Sequence, residues 1–192
     1  MTIQLRKGAR INLSKSAPSL KIVRVGLGWD ANHHQGSAYD LDASVFICRH
    51  NAKGEPKLLS EEHFVFYNNR SSPNAAVVHS GDNQTGDGDG DDEVITLDLR
   101  KIDREAVELS FIVTIHEARE RQQSFGEIHN AYIRLYDDIS DQIVAEYRLD
   151  QMFAQETAVQ FGSLLREDGQ WTFKAVGAGY QLTLGDFVDA YL

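Results

Sequence analysis

Leu41-Asp-Ala-Ser-Val-Phe-Ile-Cys-Arg49 decides the fold. The run is short and rich in β-branched and aromatic residues, the make-up of a strand rather than a helix. Its apolar residues are nearly continuous, so we expect a central strand buried on both faces. A polar loop, residues 29–39, precedes it and a turn, residues 52–56, follows.

The neighbouring segments repeat that grammar. Residues 20–28 (Leu-Lys-Ile-Val-Arg-Val-Gly-Leu-Gly) put Leu20, Ile22 and Arg24 on one face and Val23, Val25 and Leu27 on the other, as a strand does. Residues 107–116 alternate through Leu109, Phe111, Val113 and Ile115. Residues 131–136 and 142–147 read as a hairpin across 137–141, and 157–165 and 171–176 as a second across 167–170. Shorter strands are expected at 2–6, 10–13, 64–67, 77–79 and 94–99. Residues 14–18 read as a loop, 100–106 as one helical turn, 117–124 as a short surface helix and 184–192 as an amphipathic terminal helix. Many short alternating segments with little helix predict an all-β fold, a β-sandwich of two mostly antiparallel sheets with a few short helices. With no internal repeat and no Pro/Ser linker, residues 1–192 read as a single domain.

Composition narrows the function. The net charge of −10 argues against direct nucleic-acid binding, which depends on Lys and Arg neutralising phosphates. The lone cysteine, Cys48, sits in an apolar run and reads as a small core residue. The N-terminus lacks the apolar region of a signal peptide, and no run approaches the roughly 18 residues of a membrane span. The expectation is a soluble, cytoplasmic protein.

The charge is concentrated in Ser80-Gly-Asp-Asn-Gln-Thr-Gly-Asp-Gly-Asp-Gly-Asp-Asp-Glu93. Six carboxylates, Asp82, Asp87, Asp89, Asp91, Asp92 and Glu93, stand here with no Lys or Arg between His79 and Arg100. Two carboxylates about 4 Å apart repel by about 1 kcal/mol in water and about 4 kcal/mol at an effective dielectric of about 20. A hard divalent cation offsets that repulsion, and Ca²⁺ takes about 6–8 oxygen ligands in irregular geometry. The alternating glycines let the chain fold tightly around an ion. The spacing is not an EF-hand, because Asp92 stands where Gly belongs and Asp98 where the bidentate Glu belongs. Ligands are therefore needed from elsewhere. Asp30, the pair Asp40 and Asp42 on one face of a strand head, and Asn68 and Asn69 offer them. The histidines lack the spacing of a zinc site, and the flexible carboxylate-rich loop suits Ca²⁺ better than Mg²⁺ or Mn²⁺. A solvated acidic surface without metal is the bland alternative.

Taken in order, these segments resemble the TerD family of tellurium-resistance and stress-response proteins. The resemblance is carried by Val25-Gly-Leu-Gly-Trp-Asp30, Tyr39-Asp-Leu-Asp-Ala-Ser44, Phe66-Tyr-Asn-Asn69, His79-Ser-Gly-Asp-Asn83, Gly86-Asp-Gly-Asp-Gly-Asp-Asp-Glu93, Arg121-Gln-Gln-Ser-Phe-Gly126, Asn130-Ala-Tyr-Ile-Arg134 and Trp171-Thr-Phe-Lys-Ala-Val-Gly177. It runs over nearly the whole chain. It implies a β-sandwich binding one or two Ca²⁺ ions through acidic loops at one end. The matching positions are Asp30, Asp40, Asp42, Asn68, Asn69, Asp82, Asn83, Asp87, Asp89, Asp91, Asp92 and Glu93. The chain departs from the family pattern at Pro73-Asn-Ala-Ala76 and at Phe161-Gly-Ser-Leu-Leu-Arg166. The implied partners are other proteins of the same stress-response system, with peripheral association with membrane complexes as an option. The expected role is non-catalytic; a metal-dependent hydrolase or phosphoryl-transfer enzyme using the same carboxylates is the competing reading.

Overall fold

The computed structural model describes residues 2–30, 39–81, 90–149 and 153–192. Among these, the strands in chain order are β1 (Ile3–Gln4), β2 (Arg10–Asn12), β3 (Ile22–Gly28), β4 (Leu41–His50), β5 (Pro56–Leu58), β6 (Phe64–Val65), β7 (Val77–His79), β8 (Glu93–Asp98), β9 (Glu108–Ile115), β10 (Tyr132–Asp137), β11 (Gln142–Arg148), β12 (Ala158–Glu167) and β13 (Gln170–Tyr180). Three short α-helices join them: α1 (Leu13–Ser16), α2 (Ala118–Arg121) and α3 (Leu184–Tyr191). One sheet runs β1-β11-β10-β3-β8-β7, and the other runs β2-β13-β12-β9-β4-β5 with β6 also on β4. All pairings are antiparallel except β1 on β11. The β-sandwich expected from the sequence is the fold.

The central strand explains its own composition. Leu41, Ala43, Val45 and Ile47 of β4 face the core between the sheets, while Phe46 and Cys48 face a second apolar cluster on the outer side. Both faces are covered, so polarity does not alternate. β3 alternates at its start: Val23, Val25 and Leu27 enter the core and Arg24 stays partly exposed, while Gly26 and Gly28 on the outer face are covered. Phe46, Phe111, Phe161 and Phe173 are fully enclosed. Full burial of one such side chain is worth about 1.5–3 kcal/mol.

The outer cluster is closed by α3. Thr183 caps it reciprocally with Asp186, and Phe187 and Tyr191 point down onto the sheet. Tyr191 lies 4.5 Å from Phe46 between ring centroids, and Phe187 meets Tyr180 edge-on at 5.3 Å.

Two local expectations are corrected. Residues 13–16 form a helical turn rather than a loop, because the Asn12 side chain accepts the Lys15 N–H at its start. Residues 100–106 form turns rather than a helical turn. There the Arg166 guanidinium takes the carbonyls of Ile102, Asp103 and Arg104, and a single turn closes from the Ala106 N–H to the Asp103 carbonyl.

The registers bring the functional segments together. Gly28 pairs with Tyr132, Leu27 with Glu93, and Leu41 with Ile115. The ends of β3, β7, β9 and the starts of β4, β8, β10 thus lie at one end of the sandwich. The connections carrying Asp30, Asp40 and the acidic segment all leave from there.

Candidate functional site

Three consecutive carboxylates at the start of β8 go to three different places. Glu93 follows the inward phase of Ile95 and Leu97 and is 1% exposed. Its Oε2 accepts the Ala43 N–H at 2.6 Å. His79, also 1% exposed, sets its Nε2 3.0 Å from the Ala43 carbonyl and 3.5 Å from Glu93 Oε2. Its Nδ1 accepts the Gly81 N–H at 3.0 Å, which assigns the proton to Nε2. β6 pairs with β4 only from Val45 onward, so among the described residues no strand lies beside Ala43 on that side. Side chains from the opposite sheet take the strand's place and tie the two sheets at the acidic end.

Asp92 stays at the edge. Its N–H donates to the Leu27 carbonyl at 2.7 Å and its Oδ2 accepts the Trp29 N–H at 3.0 Å, which extends the β3–β8 ladder by side chain. Asp91 turns to the outer face of the sheet and lies on the bare backbone of Gly26. Tyr136 Oη donates to its Oδ1 at 3.2 Å, and Tyr132 Oη donates to the Gly90 carbonyl at 2.8 Å.

The other expected residues sit around this exit. Asp30 is exposed; its carboxylate accepts from Asn130 Nδ2 and its N–H bonds the His129 carbonyl at 3.1 Å. Asp40 is buried at the head of β4, and its carbonyl accepts the His116 N–H at 2.9 Å. Asp42 is 4% exposed, with Oδ2 3.7 Å from His116 Nδ1. It lines a cleft of about 210 Å³ with Tyr67, His116 and the β13–α3 link. Asn68 is exposed, and Asn69 spends its amide N–H groups on the carbonyls of Phe64 and Glu62. Asp82, Asn83, Asp87 and Asp89 lie outside the described residues, as do His33 and His34.

Basic groups reach the acidic exit from other strands, which linear spacing does not show. Arg70 donates to the carbonyls of His79 and Ser80. Arg134 lies 3.9 Å over the Tyr132 ring and bonds Glu146 at 2.8 Å, and Arg24 lies 4.6 Å over the Tyr136 ring. Burial, with the Asp91 charge second, holds both phenols above the ordinary tyrosine range. Of the arginines further along the chain, Arg121 and Arg134 pair with Glu117 and Glu146, while Arg119 donates to the Gln181 carbonyl.

The donor set near this end is oxygen-rich, which fits a hard cation. The thiol lies elsewhere, since Cys48 is buried under α3, where burial pushes it up; His79 is at this end but uses both ring nitrogens on the main chain. Among the described residues, no three His, Cys, Asp or Glu side chains converge closely enough to hold a metal. Sequence reasoning missed His79, Tyr132, Tyr136 and Gly26. The Gly26-Leu-Gly28 spacing was a usable signal, since two bare positions on the outer face of a strand leave room for something lying flat on them.

Comparison with known proteins places these features in context. The TerD domain family matches residues 1–191. Tellurium resistance protein TerD of Serratia marcescens is 47% identical over 180 residues, covering 94% of this chain and 92% of that protein. General stress protein 16U of Bacillus subtilis (strain 168) is 43% identical over 182 residues, covering 94% and 92%. A crystal structure of a protein of unknown function superposes with a TM-score of 0.73 at 26% identity, covering 88% of this chain and 95% of that one. A TerD homologue from Streptomyces coelicolor A3(2) shares the fold, with a TM-score of 0.71 at 22% identity and the same coverage.

Proposed function

The chain belongs to the TerD domain family, and from that premise we propose that it is a cytoplasmic, non-catalytic Ca²⁺-binding module acting in stress response or tellurium resistance. The observation that carries the reading is topological. The flanks of every acidic segment leave one end of the sandwich, where Asp30, Asp40 and Asp92 stand beside the entry and exit of residues 82–89. Oxygen donors from those described residues, with Asp82, Asn83, Asp87 and Asp89, are the set that would hold one or two ions. The cation supplies positive charge that offsets carboxylate repulsion. The chain's own work is to aim the donors: Trp29 N–H fixes Asp92, and Asn130 fixes Asp30. A neutralised, ordered rim is then available to protein partners of the same system.

Calorimetric titration tests this. Chelator-treated protein is expected to take up one or two Ca²⁺ ions per chain, with much weaker uptake of Mg²⁺. No heat of binding with either ion, in protein shown to be metal-free, overturns the reading.

One observation favours the competing hydrolase reading. His116 stands between Asp42 and Glu117, 3.7 Å from each, at the mouth of a cleft, as a general base does. Metal-dependent release of phosphate from a simple ester that His116→Ala abolishes would decide for it.

A further inference from the structure

Glycines 26 and 28 lie on the outer face of β3, in phase with Arg24 and out of phase with the core residues Val25 and Leu27. A β-carbon on Gly26 would fall inside the Asp91 carboxylate, and one on Gly28 inside the Tyr132 ring. The outer surface of the sheet therefore has two seats made by missing side chains, one for the acidic segment and one for the phenol that holds it. Tyr132 grips the Gly90 carbonyl, Tyr136 grips Asp91, and the neighbouring Asp92 N–H bonds Leu27. Two positions later Glu93 is on the other side of the same sheet, bonded to Ala43 inside the sandwich. The backbone of β3 and β8 separates the two carboxylates, so Asp91 on its seat cannot share an ion with Glu93.

We propose that Asp91 is a positioning residue rather than a cation ligand: its carboxylate, seated on Gly26 under Tyr136, fixes where the acidic segment rejoins the sheet. The proposal rests on the calcium reading only for what the positioned segment binds; the seat itself is independent of it. Asp91 and Gly26 act as one unit. Removing either frees the exit of residues 82–89, and removing both does no more than removing one.

The test uses full-length protein labelled with 3-fluorotyrosine and followed by ¹⁹F NMR, with Tyr136→Phe identifying the Tyr136 signal. In chelator, Asp91→Asn and Gly26→Ala are each expected to move that signal, and the double variant no further than Asp91→Asn alone. Saturating Ca²⁺ on the wild type is expected to leave it in place. By calorimetry, Asp91→Asn and Gly26→Ala should weaken Ca²⁺ binding by a similar factor, about threefold to tenfold, with the number of ions unchanged. Tyr132→Phe, which keeps the ring and loses the hydroxyl's bonds to Gly90 and Asp91, should weaken binding too if Gly26→Ala fails to fold. A Tyr136 signal that Ca²⁺ drives to the Asp91→Asn position, or loss of an ion in Asp91→Asn alone, overturns the proposal. A wild type that binds no Ca²⁺ fails the calcium reading, and the Gly26→Ala comparison in chelator then decides the seat by itself.

Discussion

Ala43 exchanges both main-chain bonds on one side with side chains, Glu93 taking its N–H and His79 its carbonyl. A buried donor stripped of its partner incurs its full desolvation cost, about 1–3 kcal/mol and more where the lost partner is charged. Glu93→Ala is therefore expected to lose about 3 kcal/mol in urea unfolding, and Glu93→Gln, which keeps an acceptor oxygen, less. Equal and near-zero effects would mean that Glu93 does not tie the sheets. The sequence marked Glu93 as acidic and Leu97 as apolar, but only the register of β8 shows that they share the inward face. His79 was legible as the head of the segment His79-Ser-Gly-Asp-Asn83, but not as a bond to Ala43. Asp40 and Asp42 were legible as a pair beside a core leucine. That Asp42 lies at a cleft beside His116 required β4 and β9 to be paired.

Element by element, periodicity located the main strands, even where both faces are covered as in β9. β3, β9 and both hairpins fall where alternation put them. It read less well where side chains from afar redirect the main chain, as Arg166 does at residues 102–104. Sheet order was not legible at all, because β1 and β2 flank one turn yet join different sheets. The terminal helix was read correctly, but what it covers was not: α3 closes the outer cluster over Cys48. The thiol is buried, and burial pushes it up, so it should resist thiol reagents in the folded protein. Deleting residues 184–192 is expected to speed its modification at least tenfold, as opening of the cluster replaces closure by α3. An unchanged rate in folded, truncated protein would show that the sheet alone shields Cys48.

For the whole molecule, acid is the first stress that the charges dictate. Side-chain bonds from Arg100 hold Asp98 below the ordinary aspartate range, and the Ala154 and Gln155 N–H groups do the same for Glu156. A depressed folded pKa contributes stability that is complete above the unfolded value, about 4, and is lost as pH falls through the folded value. Stability should therefore fall below about pH 4, and Asp98→Asn should flatten that fall while lowering stability at pH 7. An unchanged acid limb would remove Asp98 from it. At neutral pH the opposite stress governs: the net charge is −10, six carboxylates crowd into residues 82–93 of the sequence, and bound Ca²⁺ would relieve their repulsion. Thermal unfolding in chelator and then with graded Ca²⁺ measures this directly. At about 100 times the dissociation constant, binding to the folded state alone stabilises by about 2.7 kcal/mol. For a chain of this size that is about 5–10 °C in Tm. A rise of that order is expected with Ca²⁺ and a much smaller one with Mg²⁺. A midpoint unmoved by either ion, in protein shown to be metal-free, would contradict it.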